Sequence, residues 1–572
     1  MGFFRRHSVG PLVVAMLLSL LLGFGLARGL QATDDLRSQL DLFSQILYLV
    51  QSNYVESPDN QKLMKGAIDG MLKTLDPHTV YVPEQRVQRM DEEFQGEYSG
   101  IGIQFELREG GIVVISPLEG TPAYRLGITA GDLIVAINGK ALERTITNED
   151  VFRMLRGPSG STVNVTIRRP DVEEPLEFAI ERAKIPIESI PYSYMIRPGV
   201  GYVRMIRFSA TTGEELQKSI TALRQQGMKS LLLDLRSNSG GLLTQAVDVL
   251  DQLVPRDKLL VYTRGRTPSS NSDYRSSERD KYLNGPVVVL IDHGSASASE
   301  IVAGAIQDLD RGLISGTNSF GKGLVQNQLR LHDGSKLLLT IAKYYTPSGR
   351  AIQRDYTKFS DRGDYAADAY KVDVPTDSVL ATLPQFKTAG GRSVFGGGGI
   401  YPDVIVKDDL PLTQEEANMI QNRVFWEFAT QYLRRHKGTT WKPGSFGPSF
   451  TLTDADWKDV KAAAATRKVT LSDSTMTAER DFMQRQVRAE LAAATFGTLE
   501  RYKVLIEDDV QLNAALELFP RATKLMAGVF EPEKKLSGAP TGTKDPKSEA
   551  EVTKKADAEK KADAPADPPR KK

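Results

Sequence analysis

Two short, unbroken apolar runs limit the fold of this chain more than any other feature: SLLLD at Ser230–Asp234 and VVVLID at 287–292. A strand with one wet face alternates apolar and polar residues. These runs do not, so they read as parallel strands buried on both faces. Each leads through a Ser/Gly-rich turn into a helical stretch, 242–253 after the first and 297–309 after the second. Around them the pattern predicts a strand at 200–208, a helix at 214–226, a strand at 259–262, and a hairpin of 324–331 with 336–345. Such alternation builds an α/β core, expected over residues 186–410.

At 572 residues the chain exceeds one core, so further units are expected on both sides. Arg5, Arg6 and His7 precede an apolar run from Pro11 to Leu26, the pattern of an export signal. The run lies near the lower limit of ~17–25 residues for a bilayer span. Arg28 directly follows the small-residue site Gly25-Leu26-Ala27, which favours an uncleaved membrane anchor over residues 1–30. In residues 31–92, Leu36, Leu40, Phe43, Leu47, Val50 and Tyr54 form a helical stripe with Thr33 or Asp34 as its cap. A second helix at 63–75 stops at Asp76-Pro77. So short a pair cannot bury its own apolar faces, so it packs on another domain or on a second copy of the chain.

Residues 411–533 read as a helical extension that serves docking or assembly. Thr413-x-x-Glu416 caps a helix carrying Val424, Phe425, Phe428 and Tyr432, and Thr453-x-x-Asp456 starts another. Residues 534–572 hold Lys, Ala, Asp, Glu and Pro with almost no apolar content, the composition of a disordered tail. Lys plus Arg (73) and Asp plus Glu (72) nearly cancel, leaving no electrostatic ground for a nucleic-acid partner. Cysteine is absent and there are five His, so no disulfide, thiolate metal site or Cys nucleophile exists, and no metal or cofactor is expected.

Residues 93–185 change to short strands with glycine turns: Ser99-Gly100-Ile101-Gly102-Ile103, then 113–117, then GDLIVAING at 131–139, a helix near 149–155 and a last strand at 162–168. This segment resembles a PDZ domain of the bacterial protease type. The resemblance implies that backbone N–H groups of Gly100, Ile101, Gly102 and Ile103 hold a peptide's terminal carboxylate while the tail adds as a strand. The plainer reading, that these glycines only make a tight turn, stands beside it.

Chemistry is suggested by two segments. Ser295-Ala296-Ser297-Ala298-Ser299-Glu300-Ile301 follows an apolar strand and opens a helix. A serine there is exposed at a sheet edge with helix-start N–H groups beside it, although Ser297-x-x-Glu300 is also a plain capping box. In the second, Phe320-Gly321-Lys322-Gly323-Leu324-Val325-Gln326, period-2 geometry at a strand start sends Lys322, Leu324 and Gln326 to one face. An exposed lysine is the ordinary alternative. A basic role near pH 7 needs the amine's pKa to fall from ~10.4 by roughly three pH units, about 4 kcal/mol of desolvation or hydrogen-bond bias.

Together these motifs resemble the carboxyl-terminal processing (tail-specific) serine proteases, with further matches at LDPHT (75–79), DLRSNSGG (234–241) and GIYPD (399–403). The resemblance covers about residues 33–409. It implies a ClpP/crotonase-like α/β core preceded by the PDZ-like domain, with Ser297 as nucleophile, Lys322 as base and Gln326 supporting it. Backbone N–H groups of Ala298 and of Gly240 or Gly241 would form the oxyanion hole. It further implies protein substrates with accessible C-terminal tails. The N-terminal sequence points to an extracytoplasmic (periplasmic) site of action, and the N-terminal helices or the C-terminal extension to a homo-oligomer. An adaptor protein is a further expected partner. His293, where Asn is the commoner residue, raises a Ser–His–Asp hydrolase as the rival enzyme. A catalytically inactive PDZ adaptor is the rival of another class.

Overall fold

A computed structural model describes residues 36–529 except 109–110, 170–171, 278–283, 360–361, 372–379 and 408–411. The anchor expected at 1–30, its neighbouring cap at Thr33 or Asp34, and the tail at 534–572 lie outside the described residues. Among the described residues no helix is long and apolar enough to cross a membrane.

The two apolar runs are the middle strands of a six-stranded sheet. Its order is Tyr192–Arg197, Val200–Arg204, Ser230–Asp234, Val287–Ile291, Gly312–Gly316, Val404–Ile405. The first pair is antiparallel and the rest are parallel. Alternate residues serve opposite faces. Leu231, Leu233, Val287, Val289 and Ile291 pack under the helices Thr212–Gln225, Leu243–Asp251 and Ala298–Asp308. Leu232, Val288 and Leu290 face the other way, onto Leu512, Leu516, Phe519 and Leu525 of the C-terminal helices Val510–Leu516 and Phe519–Met526. The extension therefore supplies the second cover that two-sided apolar strands require.

A second sheet of five strands holds the hairpin Leu324–Arg330 and Lys336–Tyr345, with Val80–Val82, Leu259–Gly265 and Ser272–Arg275. The expected strand near 259–262 thus pairs antiparallel here, outside the parallel sheet. Sequence reading also missed Gly312–Gly316, whose LISG core carries too little patterning to separate it from a loop.

The PDZ-like unit is a six-stranded sheet around Ile112, Val114, Ile134, Val165 and Ile180, closed by the helix Asn148–Leu155. The strand Leu176–Glu181 extends it past its expected last strand, and Ala183–Pro186 pairs with Glu97–Gly100 in a separate two-stranded sheet. In the extension, both capping boxes form. The first expected helix is split at Arg423, which takes φ +53 between Gln414–Gln421 and Val424–Arg435. The stripe near the N-terminus is helical over residues 36–53, and Leu36, Leu40, Phe43 and Ile46 remain exposed.

Candidate active site

Ser297 sits between the strand Val287–Ile291 and the helix Ala298–Asp308 at φ +54, ψ −111. A residue with a Cβ holds such backbone only when its surroundings over-determine it, at a cost of about 1–3 kcal/mol. Several neighbours do so. Ala296 N–H (3.0 Å) and Ser299 Oγ (2.8 Å) both donate to the carbonyl of Asn238. Tyr344 OH donates to the carbonyl of Ser297 at 3.0 Å.

Glu300 organises both the Ser297 and the Lys322 segments. It is fully buried. Its Oε2 accepts the N–H groups of Ser297 (2.7 Å) and Lys322 (2.9 Å). Its Oε1 accepts Gly321 N–H (2.7 Å) and Ser319 Oγ (2.5 Å). Burial pushes its carboxyl above the ordinary value, against the pull of these four donors. Tyr344 OH adds a bond to the carbonyl of Lys322 at 2.6 Å. The serine turn and the lysine loop are thus stitched together through backbone groups.

Lys322 precedes the strand instead of opening it, because its own N–H and that of Gly321 go to Glu300 while Gly323 N–H goes to Gln353 Oε1 (2.9 Å). Pairing begins at Leu324, and a bulge at Val325/Gln326 interrupts the alternation expected from period-2 geometry. Lys322 and Gln326 nevertheless meet. Lys322 Nζ donates to Gln326 Oε1 at 2.8 Å, and Gln326 Nε2 donates to the carbonyl of His78 at 2.5 Å. Burial lowers the pKa of the Lys322 amine, with the charges of Glu300 and Asp76 opposing it. The His78 imidazole is held down to about 4, first by burial and then by Lys322.

Ser297, Lys322, Gln326, Gly240, Gly241 and Tyr344 all line one cleft of about 510 Å³. Among the described residues no histidine lines it, His293 included. Gly240 takes φ +96, and a Cβ there would lie 2.7 Å from the carbonyl oxygen of Ala296 and 2.8 Å from Ser297 Cβ. Its N–H donates to Asn238 Oδ1 at 2.9 Å. Ala298 is the first helical residue, where N–H groups lack helical partners.

In the PDZ-like loop, Gly100 pairs with Ala183 and Ile103 opens the strand Ile103–Arg108. The carbonyls of Ile101 and Gly102 accept Ala123 N–H (2.9 Å) and Leu118 N–H (2.9 Å). Gly102 has φ +79, and a Cβ would meet Thr121 Cβ at 2.3 Å, so glycine is demanded here by packing as well. Arg156, just past the Asn148–Leu155 helix, lies over the Tyr98 ring at 4.4 Å and pairs with Glu92. Glu92 belongs to the helix Glu84–Gln95, whose Met90, Glu93 and Phe94 line the cleft.

Glu300, Tyr344 and the His78 carbonyl escaped the sequence reading as parts of the site. Glu300 had a signal only as a cap, and Tyr344, 47 residues after Ser297, had none.

Residues 199–358 match the model of peptidase family S41, 113–169 match a PDZ domain, and 26–86 match the "Activating protease CtpB N-terminal domain". The chain is 41% identical to the "Carboxy-terminal-processing protease" of Bartonella bacilliformis, over 55% of its own length and 73% of that protein. It is 34% identical to "Carboxy-terminal processing protease CtpB" of Bacillus subtilis, over 57% of its own length and 68% of that protein. Among solved structures it aligns with a "photosystem II D1 C-terminal processing protease" at 28% identity, covering 63% of this chain and 86% of that one with a TM-score of 0.33. By its sequence matches the chain belongs to peptidase family S41, the carboxy-terminal processing serine proteases, with a PDZ domain ahead of the peptidase domain.

Proposed function

We propose that this enzyme cleaves extracytoplasmic proteins near their C-termini through a Ser297–Lys322 dyad. The observation that carries the reading is the Lys322 amine: it is desolvated, in the Ser297 cleft, and hydrogen-bonded to the neutral Gln326. A neutral amine there takes the Ser297 proton as the hydroxyl attacks the scissile carbonyl. The oxyanion is received by the N–H groups of Ala298 and of Gly241, since Gly240 already donates to Asn238. Lys322 then protonates the leaving amine, and water deacylates Ser297. The tail is captured by the Gly100–Ile103 loop, adding as a strand along Ile103–Arg108. The basic and apolar N-terminal sequence supports an extracytoplasmic, membrane-tethered enzyme, and the exposed stripe at 36–53 supports a homo-oligomer. The functional units of this reading are 31–92, 93–185, 186–410 and 411–533, the limits read from the sequence.

The test is cleavage of an unfolded protein with an apolar C-terminus by wild type, Ser297→Ala and Lys322→Ala. Both variants are expected to lose at least a thousand-fold in kcat/KM while still binding the tail. Full activity in Lys322→Ala refutes the dyad; full activity in Ser297→Ala refutes the serine mechanism altogether.

A further inference from the structure

The C-terminal extension is fastened to the chain at the point where the glycine loop leaves the sheet. Arg236 stands between Asp234, which ends its strand, and Ser237, which starts the loop to Gly241. Its Nη1 donates to Asp509 Oδ1 (3.0 Å) and Gln511 Oε1 (3.2 Å), and its Nη2 reaches Asp509 Oδ2 (2.8 Å) and Asp234 Oδ2 (2.7 Å). Asp509 also caps the helix Val510–Leu516 by accepting Leu512 N–H at 2.8 Å, and Gln511 Nε2 donates to the carbonyl of Val406 at 3.0 Å. A second tie lies alongside. Tyr202 OH donates to buried Asp234 at 2.7 Å and meets Tyr502 OH at 2.7 Å, and Tyr502 stacks on Tyr192 with centroids 3.9 Å apart.

Without the extension, the Arg236 guanidinium would keep only Asp234, two residues back on its own strand, and the loop would rest on core bonds alone: Ser237 N–H to Asp292, Asn238 Nδ2 to the Met205 carbonyl, and Ala296 N–H and Ser299 Oγ to the Asn238 carbonyl. With it, the guanidinium also holds Asp509, 273 residues further along the chain. The loop beyond must sit against the start of the Ala298–Asp308 helix, where Gly240 approaches Ala298 N so closely that a Cβ would lie 2.9 Å from it.

We propose that Asp509 and Gln511 are positioning residues for catalysis: through Arg236 they set the 237–241 loop against Ala298, so that the extension completes the oxyanion site as well as covering the sheet. The proposal rests on the serine-acylation reading above. The test is the double variant Asp509→Asn/Gln511→Met in the full-length enzyme. Asn caps a helix as well as Asp does, so the negative charge facing Arg236 is lost while the helix start is kept. The expected result is a kcat at least ten-fold lower with KM within two-fold. Affinity for a peptidyl aldehyde, whose hemiacetal oxygen needs the same donors, falls by a similar factor. Tryptophan emission, which comes only from Trp426, Trp441 and Trp457 of the extension, stays native. An unchanged kcat overturns the clamp. So does a kcat that falls only in step with lost native emission, or one that falls while aldehyde affinity holds. If the wild type binds no aldehyde, the serine reading fails and the clamp falls with it; full activity in Lys322→Ala sinks the dyad alone.

Discussion

Replacing Glu300 by Gln asks whether one buried carboxylate holds the two halves of the site together. Glu300 accepts four donors, and an amide has one acceptor oxygen. The least costly rotamer keeps the oxygen toward Ser297 and Lys322 N–H and turns the NH₂ toward Ser319 Oγ and Gly321 N–H. Two charge-assisted bonds then become neutral, at about 1 kcal/mol each, and the Gly321 N–H is left facing another donor, at about 1–3 kcal/mol. Relief of the buried charge offsets part of this, leaving a net loss of about 2–4 kcal/mol. By hydrogen exchange, peptides covering 295–301 and 317–324 should open about 30- to 700-fold more often, at 1.4 kcal/mol per ten-fold. A second readout separates this from general loosening. The Glu300 charge opposes the lowering of the Lys322 pKa, so its removal moves the acidic limb of the kcat/KM profile to lower pH. Wild-type exchange at both segments with an unmoved limb would refute the reading that Glu300 ties the two segments together.

Four more outcomes are expected. In the proposed mechanism the amine acts neutral, so kcat/KM is expected to rise with pH through the lowered pKa of Lys322. Below that pKa the wild type bears the full cost of a buried charge, so Lys322→Met melts higher there, and its advantage fades with rising pH and vanishes above ~10.4; calorimetry across pH checks this. Tyr344→Phe removes the hydroxyl that serves the carbonyls of Ser297 and Lys322, a loss of about 1–2 kcal/mol, read as a kcat about 5- to 30-fold lower at unchanged KM. Gly240→Ala forces a Cβ into the Ala296 carbonyl and Ser297 Cβ at φ +96, and should abolish labelling of Ser297 by a fluorophosphonate while tail binding to the PDZ domain is kept.

What could be read from the sequence was local. The strand–turn–helix at Ser297, the capping boxes at Thr413 and Thr453, and the hairpin after Lys322 are written in neighbouring residues, and the structure has them. What could not be read depends on distant chain. The unbroken run at Val287–Ile291 announces two covers, yet nothing in it says that Leu512 and Phe519 are one of them. Strand pairing at Lys322 fails because a carboxylate on a helix 22 residues earlier takes its amide, a competition invisible to periodicity. The split at Arg423 was missed for a related reason: the apolar spacing continues across it, and only φ breaks.

The same network explains how burial can lower the pKa of Lys322 even beside a buried glutamate. A carboxylate and an amine desolvated together normally pair and hold each other charged, which would leave Lys322 without the lone pair it needs. Here the lone pairs of Glu300 are taken by three backbone N–H groups and the Ser319 hydroxyl, all fixed by the fold. The carboxylate is compensated without the amine. Lys322 Nζ turns instead to Gln326 Oε1, a neutral acceptor anchored by the His78 carbonyl, which orients the nitrogen without stabilising its charge as an anion would. Exchanging Gln326 for Glu would therefore do more harm than removing its hydrogen bond: it would restore the ion pair that the site is built to avoid.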